Sequence, residues 1–316
     1  MGNELEGFQT TIGSRATLTG IGVHSGKPVT LTFLPADPDT GVVFQIADGK
    51  GDASEIRALV SEIGATELCT MLGDPSSQHI ATVEHLMASI FGLGIDNLVV
   101  EVDGDEAPIL DGSARLFVEA LDQAGRETQA AKRRYIRVLK PVRIESGGSW
   151  AEFLPHNGTR FEVEIDFDSP AIGRQKFAAE ITADIFRAEI ARARTFGFMK
   201  DVERLWASGH ALGSSLENSV VIGNDHKIIN IEGLRWRDEF VRHKTLDAIG
   251  DLALAGARFI GCFRSYRGGH RLNAAALRTL LSDRSAFEIV ETNRSARGRS
   301  AELITVNAPV YAPWAI

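Results

Sequence analysis

Hydrophobic and polar positions along this chain follow two periods, and the change from one to the other happens twice in the same order. Residues 9–47 read at a period of two. Thr17-Leu18-Thr19, Val29-Thr30-Leu31-Thr32-Phe33-Leu34 and Val42-Val43-Phe44-Gln45-Ile46 are β-rich runs, parted by turn-rich stretches at 20–28 and 35–41. Residues 58–72 are mixed, with Cys69 expected on a buried strand. At 80–92 the period becomes helical: Thr82 is the expected N-cap, Glu84 and His85 fall in the first turn, and Gly92 and Gly94 mark the end. A strand over 97–102, a loop holding Pro108, and a helix over 114–124 follow, the helix introduced by Asp111-Gly112-Ser113 and stopped by Gly125.

Residues 129–134 are polar and carry no period, which predicts a linker. The second half then starts over with strand runs at 135–138, 150–153 and 161–167, a helix at 184–193 and an irregular, apolar-containing segment to about 229. A helix over 239–254, a strand over 258–263 and a last helix over 271–281, opened by Gly268-Gly269-His270, complete it. Each half thus holds a strand meander, a Val-x-His triplet opening a helix (Val83-Glu84-His85; Val241-Arg242-His243), a Gly-bounded strand and a further helix. The repeat predicts an α+β fold made of a duplicated unit, with domains at 1–131 and 132–316.

Composition narrows the class. With 316 residues, 44% hydrophobic and 24% charged, the chain can bury a sizeable core. A net charge of −8 argues against a broad nucleic-acid-binding face and leaves room for a small basic pocket. The two cysteines, Cys69 and Cys262, lie in different halves, which suggests no disulfide framework and a reducing compartment. Residues 1–7 show neither a basic nor an apolar leader pattern, and no apolar run approaches the ~20 residues of a membrane span. The expectation is a cytoplasmic protein without stable membrane insertion.

The chemistry concentrates on the stretch 239–252. His243, Asp247 and Asp251 recur at i, i+4 and i+8, along one stripe of a helix, with Lys244 beside it. An imidazole and a carboxylate one turn apart can hold a metal ion between them; taken alone, the same spacing also fits a solvated polar face. The repeat supplies a matching half-site. If the two Val-x-His helices face each other, His85 approaches His243 and Asp247, giving two imidazoles, one carboxylate and an open fourth position, the pattern of a catalytic zinc. Such an ion lowers the pKa of a water it binds and polarises a carbonyl. Glu84, next to His85, is then placed to take a proton from that water, or else serves only the helix dipole. His270 on its glycine loop reads as a third ligand, a proton donor or a neighbour of the helix cap. Asp251 reads as the carboxylate that keeps His270 charged, or as support for the ligands. Thr195, ahead of two aromatics, is either a donor to an oxyanion or structural. His24, in the first turn-rich loop, reads as a surface residue.

These motifs resemble one family. Val83-Glu84-His85-Leu86, 192–199 with Arg194-Thr195-Phe196-Gly197-Phe198, 240–252 and Gly269-His270-x-Leu272-Asn273 are similar, in order, to the UDP-3-O-acyl-N-acetylglucosamine deacetylases, zinc amidases that commit bacterial cells to lipid A synthesis. Gly94-Ile95-Asp96-Asn97 and 108–113 extend the resemblance over nearly the whole chain. It implies a β-α-α-β sandwich of two similar domains, with helices packed between two sheets. It implies one zinc ion, with iron(II) as the other candidate, held by His85, His243 and Asp247. It implies Glu84 as general base, His270 as proton donor or charge stabiliser oriented by Asp251, Thr195 at the oxyanion and Lys244 on the substrate. The segment 198–221, within an insert at about 197–223, corresponds to the family's acyl-chain passage, so Phe196, Phe198, Leu212 and Val220 are expected on the acyl chain. His210, Ser214 and Asn218 are polar positions in that insert, and His156 stands where some relatives carry an aromatic residue near the nucleotide. The implied substrate is an acylated UDP-sugar, and the expected protein is a monomer. A silent nucleotide-sugar or lipid-binding relative would be free to lose Glu84 or His270; both are present.

Overall fold

The period-two runs of the first half close into one five-stranded sheet. Its strands lie in the order Ala16–Ile21, Pro28–Pro35, Leu98–Val102, Val42–Ala47 and Ala53–Arg57. All neighbours are antiparallel except Val42–Ala47 and Leu98–Val102, which run parallel. Alternation turns Leu31, Phe33, Phe44 and Val100 to the inner face, where none is exposed. The second half builds an eight-stranded sheet around Arg258–Tyr266, which pairs with Ser149–Leu154, Arg134–Val138 and Thr159–Asp166. The computed structural model describes residues 7–47, 53–294 and 301–306; of the opening segment read for a leader, residues 1–6 lie outside the described residues.

Six helices are described: α1 (Glu84–Leu93), α2 (Arg115–Ala124), α3 (Ala183–Ile185), α4 (Met199–Ala207), α5 (Glu239–Ala253) and α6 (His270–Ser282). α2 lies on the first sheet and against α1, α1 lies on α5, and α5 and α6 lie on the second sheet. The layers therefore run sheet, helices, helices, sheet, an α+β sandwich. Every residue of α1 is buried, as is all of α5 except Arg242 and Lys244. Helices covered on all sides have no wet stripe, so any polar residue on them meets other protein groups. Gly250 sets how close the two helices come. A Cβ built there would lie 1.9 Å from the Glu84 carbonyl oxygen, so a side chain of any size holds the first turn of α1 away from α5. Gly94 ends α1 with φ 76°, in the left-handed region that glycine adopts without strain.

Several expectations change. The polar stretch 129–134 is no linker. Arg126–Lys132 is a strand paired antiparallel with Phe8–Ile12, and its largely exposed residues are why no period shows. Arg133 is fully buried at the junction, its Nη2 2.6 Å from Asp96 Oδ2. Thr82 does not cap α1. Its φ is 58° and its hydroxyl turns to Glu106 Oε1 at 3.1 Å, leaving Val83 as the cap residue. Cys69 is buried, in a bend rather than a strand. The helix expected at 184–193 is α3 running into a wide turn at Phe186–Ile190. The irregular segment after Thr195 contains α4, bracketed by the parallel pair Phe196–Phe198 and Val220–Ile222. Among the described residues no helix is long and apolar enough to cross a membrane.

The close approach at Gly250 gives a prediction with an informative sign. In an exposed helix, Gly→Ala gains about 1 kcal/mol from helix propensity. Here Gly250→Ala should lower stability by about 1–3 kcal/mol, the usual scale of overpacking, and reduce metal uptake. Denaturant unfolding and metal analysis check both; a stabilised variant that takes up metal normally would refute the packing argument.

Candidate metal centre and catalytic cleft

Two facing helices bring together residues far apart in the chain. The first turn of α1 carries Glu84 and His85; the middle of α5 carries His243, Lys244, Asp247 and Asp251. His85 Nε2 lies 3.6 Å and His243 Nε2 3.3 Å from Asp247 Oδ1, and the two rings meet edge to face with centroids 5.0 Å apart. One donor atom from each of the three residues falls within 4.8 Å of the others. All three residues are buried.

The donor set fits a divalent metal. Asp247 Oδ1 is buried without a hydrogen-bond partner, the condition of a ligand atom waiting for a cation. Its Oδ2 accepts from Lys244 Nζ at 2.6 Å, which leaves Oδ1 to face the imidazoles. His243 Nδ1 lies 3.0 Å from the Ala193 carbonyl, which fixes the tautomer so that Nε2 presents a lone pair. Burial, with His85 and Lys244 nearby, pushes the His243 pKa down to about 3 against the pull of Asp247. Although burial opposes its charge, Asp247 is held well below the usual carboxylate range, with the Lys244 ammonium bonded to its Oδ2. A neutral imidazole and an ionised carboxylate are the protonation states that ligate. The Ala193 carbonyl is itself anchored. Arg194, buried, binds Glu239 at the start of α5 through its backbone N–H at 3.0 Å and its Nε at 2.9 Å.

A third histidine, paired with a carboxylate, lies beside the three donors. His270 opens α6, and its Nδ1 is 3.0 Å from Asp251 Oδ2 and 3.2 Å from Oδ1. Its Nε2 points towards Glu84 Oε1 at 3.9 Å. Burial works against the charge on His270, but Asp251 first and Glu84 second outweigh it and lift the pKa to about 9. Burial raises the Glu84 carboxyl, with His270 and His85 opposing. Glu84 Oε2 accepts from the Thr70 N–H at 3.0 Å, so Oε1 is the oxygen left facing the cleft. Lys244 stays charged: Asp247 outweighs the burial that would lower it.

The cleft that opens on these groups has a volume of about 380 Å³. Glu84, His85, His243, Lys244, Asp247, His270 and Thr195 line it, and Asp251 lies one hydrogen bond behind His270. Thr195 is fixed through its backbone, donating to Gly112 and accepting from Val220. The lining also holds an apolar group, Phe167, Phe196, Phe198, Val202, Leu205, Ala211 and Val221, with the polar Asp201, Arg204, Ser214 and Ser219 from the same part of the chain. Phe196 packs edge-on against Phe240 at 4.9 Å between centroids. Two expected lining residues are elsewhere. Val220 is fully buried in the core, because successive side chains on a strand point to opposite faces and it is Val221 that faces the cleft. Leu212 is 54% exposed, its N–H donating to the His24 carbonyl.

Some lining residues escaped the sequence reading. His24 is part of the cleft wall, 5.7 Å from His210 in an edge-to-face pair, and its loop is held by Glu106, which accepts from the His24 and Ser25 N–H groups at 2.8 and 2.9 Å. Nothing local distinguishes such a loop histidine from a surface one; the signal is Glu106, more than 80 residues away. Cys69 also lines the cleft, with burial and Glu84 pushing its thiol up to about 12, so it contributes shape and no charge.

Comparison with known proteins shows the family. Residues 9–282 match the family model described as UDP-3-O-acyl N-acetylglycosamine deacetylase. The chain is 63% identical over 287 residues to the UDP-3-O-acyl-N-acetylglucosamine deacetylases of Brucella ovis and Brucella abortus, an overlap of 91% of this chain and 100% of each relative. The corresponding protein of Brucella melitensis is 62% identical over the same span. With the family's motifs gathered around one cleft and the match covering most of its length, the chain belongs to the UDP-3-O-acyl N-acetylglycosamine deacetylase family.

Proposed function

We propose that this chain hydrolyses the acetamide of UDP-3-O-acyl-N-acetylglucosamine to give UDP-3-O-acyl-glucosamine and acetate, the committed step of lipid A biosynthesis. The observation that carries the reading is the convergence, from opposite halves of the chain, of a buried three-donor set with an unpartnered carboxylate oxygen and a charged imidazole–carboxylate pair beside it. His85, His243 and Asp247 would hold one zinc ion, with iron(II) as the alternative in the cell. A zinc ion there supplies an acidified water and polarises the substrate carbonyl.

The chain's own groups do the rest. Glu84, raised by burial, is a stronger base than an exposed carboxylate, and its Oε1 faces the cleft to take the proton of the attacking water. His270 carries its positive charge through neutrality because Asp251 and Glu84 hold it there, so it can stabilise the oxyanion and protonate the departing amine. Thr195, on a backbone tied at both ends and in the cleft lining, would offer its hydroxyl to the oxyanion. Lys244 holds Asp247 and presents a cation at the cleft for the substrate. The apolar part of the cleft lining suits an acyl chain, with Phe196, Phe198, Val202 and Val221 as contacts. Leu212 and Val220 then act only by supporting that wall. Such a protein would work in the cytoplasm as a monomer, its two domains meeting at Arg133.

Four measurements test the reading. His243→Ala should remain folded with metal content greatly reduced; full occupancy in that variant would remove the assigned site. Glu84→Ala should lose about 10²–10⁴ in kcat, the usual scale of general acid–base catalysis. The activity should also fall as pH rises through about 9, where His270 loses its proton. Asp251→Asn removes the largest charge holding that proton, so the alkaline limb should move to lower pH; an unmoved limb would show that His270 is not the group titrating. Finally, Val202→Asp or Val221→Asp, assayed with substrates of graded acyl length, should penalise long chains most, since each buried methylene contributes roughly 0.8 kcal/mol. An equal loss at every length, including none, would make these residues structural.

A further inference from the structure

Thr70 makes three connections that no other residue at the centre combines. It follows Cys69 in the bend before the strand Met71–Gly73, and it is 1% exposed. Its N–H donates to Glu84 Oε2 at 3.0 Å, and its carbonyl accepts from the Val83 N–H at 3.2 Å. Its hydroxyl crosses to the other half of the chain and donates to Asp251 Oδ1 at 2.6 Å. Asp251 is gripped from its other side by Asn273 Nδ2, 2.8 Å from Oδ2, and both its oxygens reach His270 Nδ1.

We propose that Thr70 is the positioning residue that holds base and acid in one frame: its N–H aims Glu84, and its hydroxyl fixes the Asp251 carboxylate that aims His270. The inference rests on the roles given to Glu84 and His270 above. The physics is that of a rigid bridge. A β-branched side chain has few χ1 choices, and here the backbone on either side of it is bonded in place. A hydroxyl donating to a buried carboxylate makes a short, charge-assisted bond. With Thr70 on one oxygen and Asn273 on the other, the Asp251 carboxylate cannot turn about its own axis without losing a partner. It therefore presents both oxygens to the imidazole, whose Nε2 then faces the Glu84 oxygen that the Thr70 N–H leaves free. Without the hydroxyl, Asp251 Oδ1 keeps only the longer contact to His270, and the ring loses its fixed direction.

The test is a cycle of variants on the metal-loaded enzyme. Thr70→Val keeps the shape and the N–H but removes the hydroxyl. It should lower kcat by about ten- to a hundredfold, the scale of one hydrogen bond to a charged group, with KM and metal content nearly unchanged. Thr70→Ser restores the donor and should recover most of the rate. In a His270→Ala background, Thr70→Val should change the residual rate by no more than about twofold, because a residue acting through another has nothing left to act on. If valine at this position prevents folding, Thr70→Ala carries the same comparison. Full kcat in the hydroxyl-less variant, failure of serine to rescue, or an undiminished loss in the His270→Ala background would each overturn the proposal. An unimpaired His270→Ala enzyme would overturn the site reading and this inference together, whereas an impaired one with fully active Thr70→Val overturns the inference alone.

Discussion

The contact between α1 and α5 at Gly250 is the constraint on which the rest depends. Metal ligation needs donor atoms within a few ångströms of one another, and ordinary helix packing keeps axes 8–10 Å apart. Replacing a side chain by hydrogen lets the Glu84 backbone sit on the face of α5 at the level of Asp247 and Asp251. His85 then reaches across to His243, and Glu84 to His270. The two sheets act as plates that press the helices together. The cost is a pair of helices with almost no wet surface, so their polar side chains must find partners inside the protein.

How those partners are distributed explains the electrostatics of the site. Two imidazoles lie within a few ångströms of carboxylates, yet burial and neighbours drive them apart. His243, facing His85 and Lys244, is pushed to about 3 and stays neutral; His270, between Asp251 and Glu84, is lifted to about 9 and stays charged. One imidazole is thereby suited to a metal and the other to an oxyanion, at the same pH and in the same cleft. Asp247 gives Oδ2 to Lys244 and turns Oδ1 to the imidazoles of His85 and His243, and Asp251 shares its own oxygens between Thr70, Asn273 and His270. Apolar side chains, Phe196, Phe198, Val202 and Val221 among them, line the same cleft as this polar centre.

The sequence by itself determined much of this. Helical spacing puts His243, Asp247 and Asp251 on one stripe, and the repeated Val-x-His supplies the partner half-site, because periodicity reports which face a residue occupies. The strand runs and the last helices are legible for the same reason. Tertiary structure alone decided the rest. Arg126–Lys132 looks like a linker because a strand largely open to water has no hydrophobic period, and its partner lies at the other end of its half. Thr82 has a capping residue's chemistry, but Glu106, distant in sequence, takes its hydroxyl. Val220 and Val221 are equivalent in composition, and only the register of a short parallel pair puts Val221 on the cleft and Val220 in the core. Thr70 and His24 carry no local signal, since what each one does is set by a carboxylate brought to it from elsewhere in the chain. Local pattern fixes which way a side chain points; what it meets there depends on contacts between segments far apart in sequence, which only the folded chain supplies.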